Sequence, residues 1–319
     1  MRGNIRNTVN TLPHDRSRLL VNEGLPTKKF SESIDRWIKA MLDDDVSENG
    51  YSGYTVSANI ISKEEGIVSG QIVIDRLLAE YTKNLTHEWM VKEGDQTRIN
   101  DVILNIQGNA SDILKIERVM LNLLGRLSGI STITANWVSA TDNIRLACTR
   151  KTDWGVLDKW AVHVGGGLTH RLDRSDALML KENDFASFRK IGESQKIAME
   201  KLISNINLKK HSKFTIIEVQ NIDEAVLAAN TWSKIQNQKS TNDRVTLLLD
   251  NMGPEIALEV GRELEIQDLR EWCILEGSGG ITKTSLFEWS TSRVDLVSTS
   301  AMNRGVKPLD ISLIIEGVI

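Results

Sequence analysis

Short apolar runs alternate with amphipathic segments over the second half of the chain. Beyond residue 143, six runs have the length of a β-strand: 144–149, 176–180, 214–220, 245–250, 272–277 and 295–300. Helical patterns separate most of them, at 188–206, 223–235, 254–265 and 283–290. Strands that alternate with helices in this way predict βαβ units and a parallel sheet. The apolar character of the six runs favours a barrel or partial barrel over an open sheet, with a seventh strand near 309–315.

The first half of the chain has a mixed pattern that predicts a small α+β domain. An amphipathic helix is expected at 31–45, short strands with glycine turns within 59–74 and 100–110, and a turn at 93–101. A longer helical stripe follows at 111–132, with Ser111 available as its N-cap and the pair Glu117 and Arg118 on its exposed face. The first 24 residues are polar and without apolar periodicity, so a poorly ordered tail is expected there.

Composition and charge exclude several classes of protein. The chain has 319 residues, a hydrophobic fraction of 40% and a net charge of only -4, which suits a substantial core but gives no basic field for nucleic acid. Its two cysteines, Cys148 and Cys273, lie in apolar runs and indicate buried thiols in a reducing compartment. No run has the length of a membrane span and no secretory signal begins the chain, so a cytoplasmic protein is expected.

Charged residues cluster where the predicted strands end, which is where the functional groups of a (β/α) barrel gather. The first two units supply a cationic sector, which comprises Arg150, Lys151, His170, Arg171 and Lys181. The next two units supply the acids Glu218 and Asp250. Two separated carboxylates suit Mg²⁺ held partly through water and substrate oxygens, and guanidinium groups bind carboxylates bidentately. The pattern therefore predicts a magnesium site beside a pocket for a di-acid.

Glycine-rich stretches add a possible phosphate site. The segment GSGG at Gly277–Gly280, followed by a helix that opens at Thr282, has the composition of a phosphate cradle, although structural glycine turns are equally common. The glycines at 165–167 precede His170 and are expected to allow close approach to an anion. The site as a whole predicts a ligand with a phosphate and a second anionic group.

Six motifs in fixed order carry a family likeness. ERVMLNLLGRLSGIST, TRKT, GGGLTHRLDRSDALMLKEN, LLLDN, EGSGGI and PLDISL together resemble quinolinate phosphoribosyltransferase, over about residues 31–313. The resemblance implies an α/β fold with an N-terminal α+β sandwich domain and an incomplete α/β barrel of the seven-stranded type. In this chain these would be residues 25–120, joined by 303–319, and residues 121–302, after an extension at 1–24.

The resemblance also implies a reaction and roles for residues. The family converts quinolinate and phosphoribosyl pyrophosphate (PRPP) to nicotinate mononucleotide, pyrophosphate and CO₂ with Mg²⁺. It works as a homodimer, or an assembly of dimers, with active sites at the interface, and needs no nucleic acid or membrane. The quinolinate carboxylates would be surrounded by Arg118 from the partner subunit and by Arg150, Lys151, His170, Arg171 and Lys181. Glu218 and Asp250 would hold magnesium and the ribose hydroxyls. The 5-phosphate would meet Ser278, Gly279, Gly280, Ser298 and Ser300.

The chain departs from the family pattern at several positions, and other readings stay open. The departures are Asp153-Trp154-Gly155 after TRKT, Asp173 and Arg174, Asp184, Ser300, and Asn303–Gly305. One alternative is a phosphoribosyltransferase that acts on another ring acid without decarboxylation. A second is a Schiff-base lyase with Lys151 or Lys181 as nucleophile. A third is a binding protein that keeps the pocket without turnover.

Overall fold

The computed structural model describes residues 12–45, 53–141, 143–206 and 214–318. Within these ranges the helices are α1 Lys28–Asp44, α2 Gln71–Tyr81, α3 Ala110–Val138, α4 Val156–Val164, α5 Glu182–Phe188, α6 Gln195–Ser204, α7 Ile222–Lys239, α8 Gly253–Ile266 and α9 Leu286–Ser290. The strands are β1 Val21–Asn22, β2 Leu25–Pro26, β3 Thr55–Ser62, β4 Gly66–Ile67, β5 Thr86–Trp89, β6 Gln96–Thr97, β7 Val102–Asn109, β8 Arg145–Cys148, β9 Leu178–Leu180, β10 Thr215–Val219, β11 Val245–Asp250, β12 Cys273–Ser278, β13 Leu296–Thr299 and β14 Ile311–Val318.

The chain divides into two compact units. Within the described ranges, the barrel unit consists of Ser139–Arg150, His170–Ser300 and residues 12–15. The sandwich unit consists of Arg16–Val138, Lys151–Thr169 and Ala301–Ile319. The predicted boundary at residue 120 falls inside the continuous helix α3, which lies wholly in the sandwich unit.

The barrel unit is built on six parallel strands in the order β8-β13-β12-β11-β10-β9. Consecutive strands are neighbours except β8 and β9, which form the two edges of the sheet. A closed barrel would pair those two strands, so the described sheet is an incomplete barrel, as the sequence predicts. The apolar runs are buried on both faces because helices connect the parallel strands.

Side chains alternate between the two faces of these strands, and the structure shows which face is inside. A Cβ added at Gly277 would lie 2.3 Å from the ring of Trp289 in α9, so Gly277 faces the helices. Its neighbours Glu276 and Ser278 therefore face the interior. The strand register places Leu248 beside Glu276 and Asp250 beside Ser278 on that same face. An apolar cluster of Ala177, Phe214, Ile216 and Leu248 fills part of the interior.

The prediction of a seventh barrel strand near 309–315 was wrong. That segment forms β14, which pairs antiparallel with β3 in a four-stranded sheet of order β14-β3-β7-β5 in the sandwich unit. Its residues are half-buried or exposed, unlike the parallel strands, because only one face of an edge strand of this kind packs against the core. The carboxyl end of the chain thus completes the sandwich sheet.

Helix α3 forms the core of the sandwich unit, with Ile113, Ile116, Met120, Leu123 and Leu127 buried. Gly129 lets the chain before β14 approach closely, since a Cβ there would lie 2.3 Å from the carbonyl oxygen of Lys307. The predicted cap at Ser111 was wrong: the helix begins one residue earlier, and the Asn109 side chain accepts from the Ser111 N–H at 2.9 Å.

The β-branched run at 71–74, expected to be a strand, is the start of helix α2. Its buried side chains are Val73, Ile74, Leu77 and Leu78, which have helical spacing. Glu93, inside the predicted turn at 93–101, caps this helix by accepting from the backbone N–H groups of Gly70 and Gln71. The helix therefore depends on a distant carboxylate as well as its own apolar pattern.

The expected disordered tail is folded over the part that the structure describes. Residues 12–24 include a short 3-10 helix at Ser17–Leu19 and strand β1, and the side chains of Leu12, His14 and Leu20 are buried. The prediction failed because the apolar and polar groups that cover these residues come from distant parts of the chain. Residues 1–11 lie outside the described ranges.

A search of the described helices found none that is both long and apolar enough to cross a membrane.

Candidate active site

The barrel strands bring the predicted site residues of this unit to one edge of the sheet. Lys181 directly follows β9, and Glu218 is the fourth of five residues in β10. Asp250 and Ser278 are the last residues of β11 and β12, and Ser298 and Ser300 lie at the end of β13. Because the strands are parallel, their carboxyl ends meet at one edge. Arg150, two residues after β8, comes to the same edge.

Arg171 is a buried cation without a carboxylate in hydrogen-bond reach among the described residues. Its side chain is in the interior, where Nη1 donates to the carbonyl of Ala177 at 3.0 Å and Nη2 lies 3.1 Å from the sulfur of Met179. Burial, together with the nearby charges of Arg150 and Arg174, lowers the pKa of Arg171 to about 10. The guanidinium thus stays charged at neutral pH, at a cost that a bound anion would relieve.

The acidic sector lies beside this cation. Lys181 forms a salt bridge with Glu218, and Asp250 accepts from the side-chain amide of Asn251 at 3.1 Å. Glu218 and Asp250 lie on the interior face of neighbouring strands. Two carboxylates are a donor set that Mg²⁺ accepts when substrate oxygens and water complete its octahedron. The residues present therefore fit the predicted magnesium.

The GSGG turn is held by Asn251, the residue that follows β11. The N–H of Asn251 donates to the carbonyl of Ser278 at 2.9 Å, and both Gly279 and Gly280 have positive φ, at +93° and +59°. The prediction that a helix opens at Thr282 was wrong. Thr282 and Ser285 instead form a hydrogen-bonded turn, and the five-residue helix α9 begins at Leu286. A phosphate at this position would therefore be bound by the GSGG turn and not by a helix N-terminus.

Replacing Gly279 with alanine is expected to destabilise the protein by about 2–4 kcal/mol, because the new Cβ would lie 2.0 Å from Asn251 Oδ1 on a left-handed backbone. Gly280→Ala is the matched control: nothing lies within 4 Å of a Cβ there, so only the backbone cost of about 1 kcal/mol is expected. Urea unfolding of the two variants measures the difference. Equal losses would show that the turn does not press on Asn251.

Below this edge, a polar cluster of His14, His170 and Glu276 is buried in the barrel interior. His14 Nε2 lies 3.2 Å from Glu276 Oε2, and His170 Nε2 lies 3.0 Å from Glu276 Oε1. Burial raises the pKa of Glu276, but the hydrogen bonds that the carboxylate receives from the two histidines outweigh burial and hold that pKa well below its usual range. The carboxylate therefore stays ionised inside the protein.

His14 and Glu276 belong to a buried polar cluster that the sequence pattern did not predict. Glu276 lies two residues before Ser278 on one strand, and the period of two in a β-strand is a signal that could have placed both on the interior face. His14 gave no comparable signal, since it lies in a polar stretch 262 residues away in sequence from its partner Glu276. Both cysteines are buried thiols, as the sequence predicts, and burial raises the pKa of Cys273 to about 12.

The predicted site residues of the sandwich unit are exposed. Arg118 is exposed on α3, and Lys151, at the start of its segment, is exposed with its carbonyl accepting from Asn303 Nδ2 at 2.9 Å. Two departures from the family pattern meet near Lys151. Asp153 lies 3.1 Å from Arg126 Nη2 and 3.7 Å from Arg304 Nε, which joins the DWG and NRG segments by ion pairs.

Two further departures stabilise turns. Asp173 Oδ1 accepts from the backbone N–H groups of Ser175 and Asp176, at 2.8 and 3.0 Å. Asp184 Oδ2 accepts from the N–H of Lys181 at 2.9 Å, at the start of helix α5. Both carboxylates order the backbone on either side of β9, and Arg174 remains exposed.

The glycines at 165–167 serve packing, contrary to the expectation of an anion contact. A Cβ at Gly165 would lie 2.5 Å from the carbonyl oxygen of Ser131 in α3, and one at Gly167 would lie 2.7 Å from Val162 Cγ1 in α4. Their role is to let the chain after α4 pass close to these helices in the sandwich unit.

An incomplete parallel barrel with cations and two carboxylates at its carboxyl edge defines a barrel enzyme for anionic substrates. The chain belongs to the quinolinate phosphoribosyltransferase family. The model of the family's C-terminal domain matches residues 130–314, and that of its N-terminal domain matches residues 45–128.

Relatives and solved structures agree with this assignment. A probable nicotinate-nucleotide pyrophosphorylase [carboxylating] of Methanothermobacter thermautotrophicus is 34% identical over 272 residues, which is 83% of this chain and 90% of the relative. A mitochondrial quinolinate phosphoribosyltransferase [decarboxylating] of Nicotiana tabacum is 32% identical over 81% of this chain and 73% of its own. The structure of nicotinate-nucleotide pyrophosphorylase from Francisella tularensis superposes with a TM-score of 0.74 at 27% identity, covering 90% of this chain and 97% of that one.

Proposed function

We propose that the chain transfers the phosphoribosyl group of PRPP to quinolinate and releases pyrophosphate and CO₂, giving nicotinate mononucleotide for NAD synthesis. The observation that carries the proposal is Arg171, a buried cation near the charges of Arg150 and Arg174, whose side-chain hydrogen bonds to the described residues go to a carbonyl and a thioether. A planar guanidinium in this state favours a carboxylate ligand, which it can bind through two parallel hydrogen bonds.

The charged groups of the two substrates match the side chains at the carboxyl edge of the barrel. Quinolinate carries two carboxylates on one ring, and we assign them to Arg150, Arg171 and Lys181. PRPP carries a 5-phosphate, for which the candidates are the GSGG turn and the β13 residues Ser298 and Ser300. The acids Glu218 and Asp250 lie between these groups along the sheet, because β10 and β11 separate β9 from β12.

The reaction has two steps, phosphoribosyl transfer and decarboxylation, in which these residues have different roles. In the first step the ring nitrogen bonds to the anomeric carbon while the bond to pyrophosphate breaks, so positive charge develops on the ribose. Glu218 and Asp250 are placed to stabilise that charge and to orient the ribose hydroxyls. In the second step the carboxylate beside the ring nitrogen leaves as CO₂, and its electron pair stays on the ring until a proton replaces it. The cations hold the other carboxylate and keep the ring in place.

Magnesium is the cofactor we propose, held by Glu218 and Asp250. When bound, it would neutralise the pyrophosphate oxygens of PRPP. Glu218 also forms a salt bridge with Lys181, so a bound metal ion would share this carboxylate with the lysine.

An assay with quinolinate, PRPP and MgCl₂ tests the function by following nicotinate mononucleotide and released CO₂. Both products are expected in equal amounts, with loss of activity in EDTA and its return on added MgCl₂. Folded protein that makes neither product would contradict the proposal. Product from nicotinate without CO₂ would indicate a transferase for another ring acid, and borohydride trapping of a carbonyl compound on lysine would indicate a lyase.

We also propose a homodimer in which Arg118 serves the partner's site. Arg118 is exposed on α3, as a residue that reaches a second subunit must be. Arg118→Ala and Lys181→Ala are each expected to lower turnover by about 100-fold, because a fixed cation is lost.

Mixing the two inactive variants tests that arrangement. A heterodimer carries one site with both changes and one site with neither, so re-equilibrated mixtures should regain up to about a quarter of wild-type activity on statistical pairing. Light scattering measures the assembly. A dimer whose mixtures stay inactive would show that Arg118 acts within its own subunit.

A further inference from the structure

The N-terminal segment places His14 in the barrel interior, next to His170 and Glu276 of the barrel unit. His14 is buried, its ring lies edge-on to that of His170 with centroids 5.0 Å apart, and it makes a similar contact with Phe214 at 5.2 Å. Its Nε2 and that of His170 share the carboxylate of Glu276. A polar group so deep in a barrel is retained only when its partners are fixed.

The hydrogen bonds of His170 indicate which nitrogen carries its proton. Nδ1 accepts from the backbone N–H of Arg171 at 2.7 Å, so Nδ1 has no proton of its own. Nε2 then bears the proton and donates to Glu276. His14, His170 and Glu276 could otherwise form a metal site, since their ligand atoms lie within 4.8 Å. A metal on Nε2 would normally leave Nδ1 as a donor, which this geometry opposes.

The buried cluster is connected to Arg171, the buried cation of the site, through His170. His170 has a φ of +53°, a left-handed conformation that a residue with a Cβ adopts at a cost. The bonds from its ring to Glu276 and to the Arg171 N–H hold that conformation, and Arg171 leaves the backbone at the next residue. The direction of the guanidinium therefore depends on the His170 ring, which Glu276 and His14 hold.

We propose that His14 is a positioning residue for the anion site, acting through Glu276 and His170 on Arg171. The proposal rests on the proposed function only for its consequence in catalysis. Losing the His14 donor would free the Glu276 carboxylate to move, and His170 and Arg171 would lose their fixed orientation. The described residues around His14 in the N-terminal extension are then part of the site.

Steady-state kinetics of His14→Ala and His14→Gln test the consequence. His14→Ala is expected to raise KM for quinolinate by about 10-fold or more, and to leave KM for PRPP within about 2-fold. His14→Gln keeps an N–H donor and is expected to recover most of the loss. His87→Ala is the matched control, since His87 also pairs with a carboxylate, Asp75 at 3.0 Å, but in the sandwich unit. A purely structural role would lower the melting temperature of His14→Ala with both KM values unchanged, and that result would overturn the proposal.

Histidine ring NMR tests the geometry without turnover, because the chain has only five histidines. The wild type is expected to show His170 as the neutral Nε2–H tautomer, unaffected by EDTA or Zn²⁺, and His14→Gln to keep that state while His14→Ala loses it. His170 signals that are unchanged in His14→Ala, or that shift on Zn²⁺ titration as a ligand would, overturn the proposal. If the wild type makes no nicotinate mononucleotide, the proposed function fails, but the tautomer still decides the role of His14.

Discussion

Arg171→Ala is expected to lower kcat/KM for quinolinate by about 10²- to 10³-fold, the largest kinetic effect of any single cation in the site. The side chain is buried and none of the described carboxylates lies within hydrogen-bond distance of it, so its electrostatic field acts in a medium of low dielectric on whatever anion binds. Exposed cations act through water and are screened. Stopped assays with varied quinolinate at saturating PRPP measure the change.

Two variants separate charge from shape at this position. Arg171→Lys keeps the charge but loses the planar pair of donors, so an intermediate loss of about 10- to 100-fold is expected. Arg174→Ala removes a neighbouring cation that is exposed, and its effect should stay within about 3-fold. If Arg174→Ala were as damaging as Arg171→Ala, the anion would bind at the surface and not at the buried guanidinium.

Glu276→Ala is expected to lower the free energy of unfolding by about 3–5 kcal/mol at pH 7. Removing the carboxylate leaves the buried donors of His14 and His170 without their shared acceptor, and each unsatisfied buried donor costs about 1–3 kcal/mol. Urea unfolding at fixed pH measures the loss. Glu255→Gln, an exposed acid in the first turn of α8, is the control and should change stability by less than about 0.5 kcal/mol.

The change of unfolding free energy with pH gives a second test of Glu276. The folded-state pKa of Glu276 lies below its ordinary value of 4.5, so its ionisation stabilises the fold above that pH. The stabilisation is lost as the pH falls below 4.5 toward the folded-state pKa. Glu276→Gln cannot ionise and should lose less stability than the wild type between pH 6 and pH 3. Parallel curves for the two proteins would show that Glu276 is not held ionised by the histidines.

The sequence carried enough information to locate most of the barrel. Strands that are buried on both faces must be apolar throughout, which made the six runs visible, and their ends gave the edge where Lys181, Glu218, Asp250 and Ser278 lie. The motif order also led to the family, which the domain models confirm. Local signals failed where the local pattern is ambiguous, as at 71–74, where a β-branched run begins a helix capped by Glu93.

What the sequence determined by itself is therefore the type of most strands and helices of the barrel, the family, and which charged residues follow the strands. The residue pattern alone did not decide where the last strand pairs, because β14 is half exposed and could join either sheet; the resemblance placed 303–319 with the sandwich domain, and the tertiary structure pairs β14 with β3. The tertiary structure also decided that His14 is inside the barrel and that Arg171 has no carboxylate within hydrogen-bond distance among the described residues. The physical reason is that burial and pairing depend on groups far away in the chain, such as the 262 residues between His14 and Glu276, and no local pattern encodes such a distance.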